Sequence, residues 1–231
     1  FSDGSDYPTA GEAIAHGLSL AEAGADIIDI GGESTRPGAN AVSPEEERRR
    51  ILPVVSALAQ EGILISIDTR HASTMQAALD AGAAIVNDVT ALTFDSDSLS
   101  TVHQRQVPAV LMHMQGDPKS MQENPLYTWA PVDVYDHLSL QINRCTAVGI
   151  NKANLCVDPG IGFGKTDKDN LALLDTIGLL HGLGCVVLLG ASRKSFIGRL
   201  SGSLEPRKRL GGSLAAGFAA VTQKVQLLRV H

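Results

Sequence analysis

Ala81-Gly82-Ala83-Ala84-Ile85-Val86-Asn87-Asp88 contains the unit on which the whole chain is built. A glycine ends an amphipathic stretch, an apolar run too short for a helix follows, and the run closes on polar residues. Glycine at that point supplies the left-handed turn that caps a helix. The same helix end recurs at Ala23-Gly24-Ala25 and at Val148-Gly149-Ile150. Working outward, the Ile-, Val- and Leu-rich runs predict strands at Asp26–Ile30, Ile63–Asp68, Ala84–Asp88, Ala109–His113, Leu155–Asp158, Val186–Gly190 and Val225–Val230. Each is apolar on both faces, as parallel strands covered by helices are.

Between the runs, helical patterns are expected at Thr9–Ala23, from Ser43 to about Gln60, and at Ala72–Ala81, Ser98–Arg105, Val132–Val148, Lys168–His181 and Leu210–Gln223. Ser43-Pro44-Glu45-Glu46 is a strong helix start, with a hydroxyl cap, proline at the first helical position and glutamate at the third. Strict alternation of strand and helix predicts an α/β fold, either a doubly wound sheet or a barrel. The order opens on a helix and closes on a strand. The expectation is therefore a (β/α)8 TIM-type barrel, one domain over 1–231, lacking its first strand and its last helix.

Composition supports a folded domain and narrows its partners. The chain has 231 residues, is 44% hydrophobic and 19% charged, and carries a formal net charge of -6. That balance excludes wholesale disorder and argues against broad nucleic-acid binding. No apolar run approaches the ~18 residues of a membrane span. Cys145, Cys156 and Cys185 fit no zinc spacing and read as buried thiols in a reducing compartment. A cytoplasmic location is expected.

The predicted strands end in residues too polar for a core: Asp29, Asp68, Asn87 with Asp88, His113, Asp158, Ser192-Arg193-Lys194, and Arg229 with His231. One such aspartate is best read as a helix cap. A set of carboxylates, an amide and cations at the strand ends of a barrel reads as a mouth for a polar, partly anionic small molecule. The loop Gly31-Gly32-Glu33-Ser34-Thr35-Arg36-Pro37-Gly38 is long for this position and reads as a binding loop. The charges of Glu45–Arg50 read as a solvated helix face. Asp158-Pro159-Gly160-Ile161-Gly162-Phe163-Gly164-Lys165-Thr166 misses the P-loop pattern at Pro159 and the dinucleotide pattern at Lys165. It is a tight loop that carries Phe163 toward the mouth. His113 has no second histidine at metal spacing and reads as a hydrogen-bonded core or rim residue. Lys194, between Arg193 and Ser195, reads as an anion or carbonyl contact rather than a Schiff-base lysine.

Several of these stretches, taken in order, resemble the bacterial dihydropteroate synthases of the pterin-binding family. They are Phe1-Ser2-Asp3-Gly4, Gly31–Gly38, Ile67-Asp68-Thr69, Asn87-Asp88, Leu111-Met112-His113-Met114-Gln115-Gly116, Asp158–Gly164, Ser192-Arg193-Lys194-Ser195, Arg209-Leu210-Gly211-Gly212-Ser213 and Arg229-Val230-His231. The resemblance implies a transferase in folate biosynthesis, a sulfonamide target, that joins 6-hydroxymethyl-7,8-dihydropterin diphosphate to p-aminobenzoate. It implies that Asp68, Asn87, Asp158 and Lys194 hold the pterin and that Arg229 and His231 bind the diphosphate. Asp68, Lys194, Arg229 and His231 would be the catalytic set. Thr35, Arg36 and Pro37, with Phe1, Phe163 and Ser195, would form the p-aminobenzoate pocket.

Mg²⁺ is the implied cofactor. No metal ligand is expected in this chain, because the family's metal-binding asparagine lies before Phe1. A homodimer is expected of a longer parent, and the chain itself is expected to be weak or inactive. Two rivals share parts of the pattern, a methyltetrahydrofolate-binding methyltransferase domain and a non-catalytic pterin-binding module. The Ser192–Ser195 and Gly31–Gly38 motifs speak against the first, and Arg229 with His231 would have no use in the second.

Overall fold

The computed structural model describes residues 9–35, 39–117, 120–203 and 205–231. All seven expected strands are present: β1 Ile28–Gly31, β2 Ile65–Asp68, β3 Ile85–Asp88, β4 Ala109–Met112, β5 Leu155–Asp158, β6 Val186–Leu189 and β7 Leu227–Leu228. They follow one another across the sheet in chain order, and β1–β2, β2–β3, β5–β6 and β6–β7 pair in parallel. A doubly wound sheet reverses its order at a switch point. This one does not, so the connectivity is that of a (β/α) barrel.

The helices are α1 Ala10–Glu22, α2 Pro44–Gln60, α3 Ala72–Asp80, α4 Ser98–Arg105, α5 Ala130–Ala147, α6 Asp167–Asp175, α7 Ser195–Ser201 and α8 Leu210–Thr222. Contacts gather the chain into two compact units. One is Phe1–Val110 with Val148–Ile150, and the other is Leu111–Ala147 with Asn151–His231. The first has a core of Ile51, Val55, Leu58, Ile65, Ile67, Met75 and Val86. The second is built on Leu111, Leu138, Val157, Ile161, Ile177 and Val187. The glycines that end α1, α3 and α5 all adopt positive φ, as their position at the turn requires. Among the described residues, no helix is long and apolar enough to cross a membrane.

The structure corrects four local expectations. The stretch predicted as one helix over Lys168–His181 breaks at Thr176 and continues as a 3₁₀ segment, Ile177–Leu183. Gln223 explains the break, because its side chain accepts from Gly178 N (3.1 Å) and donates to Leu174 O (2.8 Å). Backbone groups freed by the break are thus paired from outside the helix. Helix α7, which starts at Ser195 and runs beyond the Ser192–Ser195 motif, was not expected, and β7 is shorter than Val225–Val230. Fourth, Glu47 does not lie on a solvated face. It is fully buried and accepts from Thr69 Oγ1 at 2.9 Å.

Local polar contacts set the helix entries. Thr166 and Asp169 form a reciprocal capping box at the start of α6: Asp169 N donates to Thr166 Oγ1 (3.2 Å) and Thr166 N to Asp169 Oδ2 (2.9 Å). After β3, Asp88 accepts from Thr90 N (2.7 Å), Thr90 Oγ1 (2.6 Å) and Leu92 N (3.1 Å). Burial pushes its carboxyl up to about 6, against the pull of those donors and of Arg70.

Two outcomes follow. Thr166→Ala should lower unfolding stability by about 1 kcal/mol, read by urea denaturation. Asp88 has a folded pKa above its ordinary value, so the folded state holds its proton longer and stability should fall as pH rises from about 4 to about 6. Asp88→Asn keeps an acceptor for Thr90, and its melting temperature should lose that decline. An unchanged pH slope in this variant would remove Asp88 as the cause.

Candidate active site

In the first unit the parallel register aligns Gly31, Asp68 and Asn87 at the C-terminal ends of β1, β2 and β3. Asn87 is buried and donates to Asp29 Oδ2 at 3.2 Å, while Asp68 is half-buried. Glu33, in the loop after β1, takes two bonds from Arg70, from Nε and Nη2, each 2.8 Å. It also accepts from Val42 N at 3.1 Å, and the Arg70 guanidinium lies 4.0 Å over the Phe94 ring. A two-pronged arginine–carboxylate pair fixes direction as well as distance, so Glu33 anchors the base of the Gly31–Gly38 loop. Thr35 is half-buried on that loop. Arg36, Pro37 and Phe1 lie outside the described residues.

In the second unit the charges converge. Asp158 ends β5 and is buried. Its Oδ1 accepts from Gly160 N at 2.7 Å. Burial pushes the Asp158 carboxyl up, while Lys194, the Gly160 N–H and Arg229 pull it back. Burial likewise brings Lys194 down to about 8, with Asp158 raising it and Arg229 lowering it. Gly190, just after β6, marks the centre of this group. A methyl group built on its Cα would stand 3.8 Å from Asp158 Oδ2, 3.9 Å from Lys194 Nζ and 3.8 Å from Arg229 Cβ. The bare Cα of Gly190 thus lies where side chains of opposite charge meet at the strand ends.

Backbone geometry aims Lys194. Arg193 has φ +54, in the left-handed region that a bulky residue rarely occupies. Its N–H donates to Ser213 Oγ (2.8 Å), and its carbonyl accepts from Arg209 Nη1 (2.8 Å). Both partners belong to the Arg209–Ser213 motif, whose use the sequence did not disclose. The Lys194 ammonium then donates to Ile161 O and sits 4.8 Å from the centre of the Phe163 ring. Ser195 opens α7 and is exposed. Beyond β7, Arg229 N donates to Leu189 O at 2.9 Å, and His231 Nδ1 lies 3.0 Å from Ser192 Oγ.

Sequence reasoning missed Lys165 and His137. Lys165 stands out in the sequence only as the residue that breaks the dinucleotide pattern, yet it is 1% exposed. Its Nζ lies 2.9 Å from His113 Nδ1, and it donates to His113 O (3.3 Å) and Phe163 O (2.9 Å). His113 is a buried histidine, as expected, but it has an aromatic neighbour. His137 of α5 meets it edge-on with ring centres 4.8 Å apart. Burial, then the Lys165 charge, then His137 bring His113 down to about 2, so its ring is neutral. Cys145 and Cys156 are buried as expected, whereas Cys185 is only half-buried.

The family model for pterin binding enzymes matches residues 1–231. The Escherichia coli K12 dihydropteroate synthase is 43% identical over 232 residues, covering 100% of this chain and 82% of the relative. The Xanthomonas albilineans dihydropteroate synthase with 4-aminobenzoic acid superposes with a TM-score of 0.92 at 46% identity, covering 100% of this chain and 82% of that one. The same enzyme in complex with 7,8-dihydropteroate gives 0.88 at 42% identity, again over 100% and 82%. With its strand order, its strand-end charges and these likenesses together, the chain belongs to the pterin binding enzyme family.

Proposed function

We propose that the chain is a dihydropteroate synthase, in which 4-aminobenzoate displaces diphosphate from 6-hydroxymethyl-7,8-dihydropterin diphosphate. The observation that carries this reading is the group of Asp158, Lys194 and Arg229 around Gly190, in a chain 46% identical to a structure with 4-aminobenzoic acid. The pterin edge offers N–H donors and a carbonyl. Asp158 is suited to the donors and the Lys194 ammonium to the carbonyl. Asp68 and Asn87 of the first unit are assigned to the pterin on their motifs, and Asp68 also to the cationic character of the methylene carbon.

In the chemical step the amine nitrogen's lone pair forms the new C–N bond at that carbon. The C–O bond breaks and its electron pair leaves on the diphosphate, while the nitrogen loses a proton. An aromatic amine is a modest nucleophile, so help falls on the leaving group. Arg229 and His231 supply cationic and hydrogen-bonding groups for the charge that develops there. No covalent enzyme intermediate is needed. Phe163 and Ser195 are assigned to the 4-aminobenzoate.

Mg²⁺ commonly takes one or two carboxylates, substrate phosphates and several waters. Among the described residues, no three or more His, Cys, Asp and Glu side chains are grouped to hold a metal ion. The described residues do not make a protein-built magnesium cage. Among the described residues, Arg229 and His231 are the ones assigned to the diphosphate, whose charge a bound Mg²⁺ would also help to neutralise.

The decisive experiment is formation of 7,8-dihydropteroate from the two substrates by the purified chain. Asp158→Ala should weaken pterin binding at least tenfold by calorimetry, about 1.5–3 kcal/mol, with the circular dichroism spectrum unchanged. Lys194→Arg keeps the charge but loses the compact ammonium, and should lower turnover strongly. Gly190→Ala places its methyl at ordinary contact distance and should be tolerated, while Gly190→Val should block the site. Full activity of both Lys194→Arg and Gly190→Val would refute the placement of the pterin at this group.

A further inference from the structure

The loop after β5 is held in an unusual way. Four successive carbonyls are each taken by a different side chain. Ile161 O accepts from Lys194, Gly162 O from Gln122 (2.6 Å), Phe163 O from Lys165 (2.9 Å) and Gly164 O from Tyr127 (2.6 Å). Lys165 differs from the other three in its reach. An ammonium has three N–H donors, and this one has three acceptors within reach: Phe163 O, His113 O and His113 Nδ1. The last requires the His113 tautomer with its proton on Nε2. Lys165 thereby ties the loop to the residue that follows β4, and His113 N in turn donates to Asp158 O at 3.0 Å. Gly160 lets the two segments come this close, since a side chain there would run into His113 O.

We propose that Lys165 is a positioning residue for the arylamine substrate: by clamping the Phe163 carbonyl to His113 it fixes the Phe163 ring beside Lys194. The assignment rests on the synthase reading, which places 4-aminobenzoate against Phe163. A buried lysine is a costly way to join two loops unless its position matters, because an apolar side chain of the same length would fill the space without a desolvation penalty.

The clamp is also sensitive to pH. Several groups bear on Lys165: His113 after β4, with His137 of α5 behind it; Asp158 at the end of β5; Asp169 in α6; and Lys194 before α7. Burial brings Lys165 down to about 7, with Asp158 and Asp169 raising it and Lys194 lowering it. Burial and then the Lys165 charge bring His113 down to about 2, so its ring stays neutral through this window, and the same two causes lower His137. As pH rises through about 7, Lys165 loses a proton and can no longer donate to all three acceptors.

The test uses Lys165→Met in the full chain, with two independent readouts. At saturating pterin diphosphate, KM for 4-aminobenzoate should rise at least fivefold, while KM for the pterin diphosphate stays within twofold. The wild-type KM for 4-aminobenzoate should rise as pH passes through about 7, and the variant should lose that rise, keeping only the change near pH 8 that Lys194 brings. Hydrogen exchange of the 160–165 segment, measured without substrate, should quicken at least tenfold in the variant while the core strands are unchanged. Equal changes in both KM values, or none, would overturn the positioning role. So would unchanged exchange, which decides the clamp whether or not the chain turns over. If the methionine variant does not fold, a wild-type KM profile that is flat through about pH 7 overturns the proposal by itself. Failure of the wild type to bind both the pterin diphosphate and 4-aminobenzoate by calorimetry would instead remove the synthase reading, and the exchange result would still stand.

Discussion

A loop that turns back over strand ends must find partners for its backbone carbonyls without a helix or sheet to provide them. The 160–164 loop of this chain meets that constraint with side chains, and the second unit is arranged around it. Asp158 takes the Gly160 N–H, Asn170 takes the Gly162 N–H, and Lys194, Gln122, Lys165 and Tyr127 take the carbonyls that follow. The capping box at Thr166 then stops the chain from unwinding into α6. A ring carried on such a loop, as Phe163 is, has little freedom of its own. That is the condition a site needs if it is to hold an aromatic substrate in one orientation.

The same contacts have an electrostatic consequence. Two lysines and an aspartate share a space from which water is largely excluded, and each is held away from its ordinary titration range by burial first. Such groups cost folding energy and survive only when they are paired and hydrogen-bonded. Here the pairing is local. Asp158 draws both lysines up while each lysine draws Asp158 down. The left-handed Arg193 is part of the same arrangement: its strain is held by Ser213 and Arg209, and the result is a Lys194 pointed at the Phe163 loop.

Much of this could be read in the sequence, for physical reasons that differ between elements. The strands were legible because runs such as Ile85–Asp88 are both too short and too β-branched for a helix. The helix ends were legible because Gly24, Gly82 and Gly149 are needed where φ is positive. The site was legible where charge stands at a strand end, as at Asp158. It was illegible where the function of a residue depends on what lies across the fold. Lys165 is adjacent in sequence to glycines and a threonine, and nothing there says that it reaches His113, fifty-two positions earlier. Glu47 sits in a run of charges and looks solvated, yet it is the one that turns inward to Thr69. The α6 break depends on Gln223 in the same way. Periodicity reports which face of an element is apolar, but not which polar residue crosses it to pair with a distant backbone group.

Asp158 also explains why two lysines can coexist so close together. Each would destabilise the other by like-charge repulsion, and a carboxylate that attracts both offsets that repulsion only while it remains ionised. Its ionisation is favoured by the Gly160 N–H, a backbone donor that does not titrate and cannot move away without unmaking the loop. The loop geometry therefore helps keep Asp158 charged, and the charge on Asp158 helps keep Lys165 and Lys194 protonated. The protonated lysines in turn hold Ile161 O and Phe163 O and so maintain the loop. Backbone shape and charge state are each a condition for the other. A side chain at Gly160 would break both at once, because it would run into His113 O and displace the N–H that Asp158 accepts.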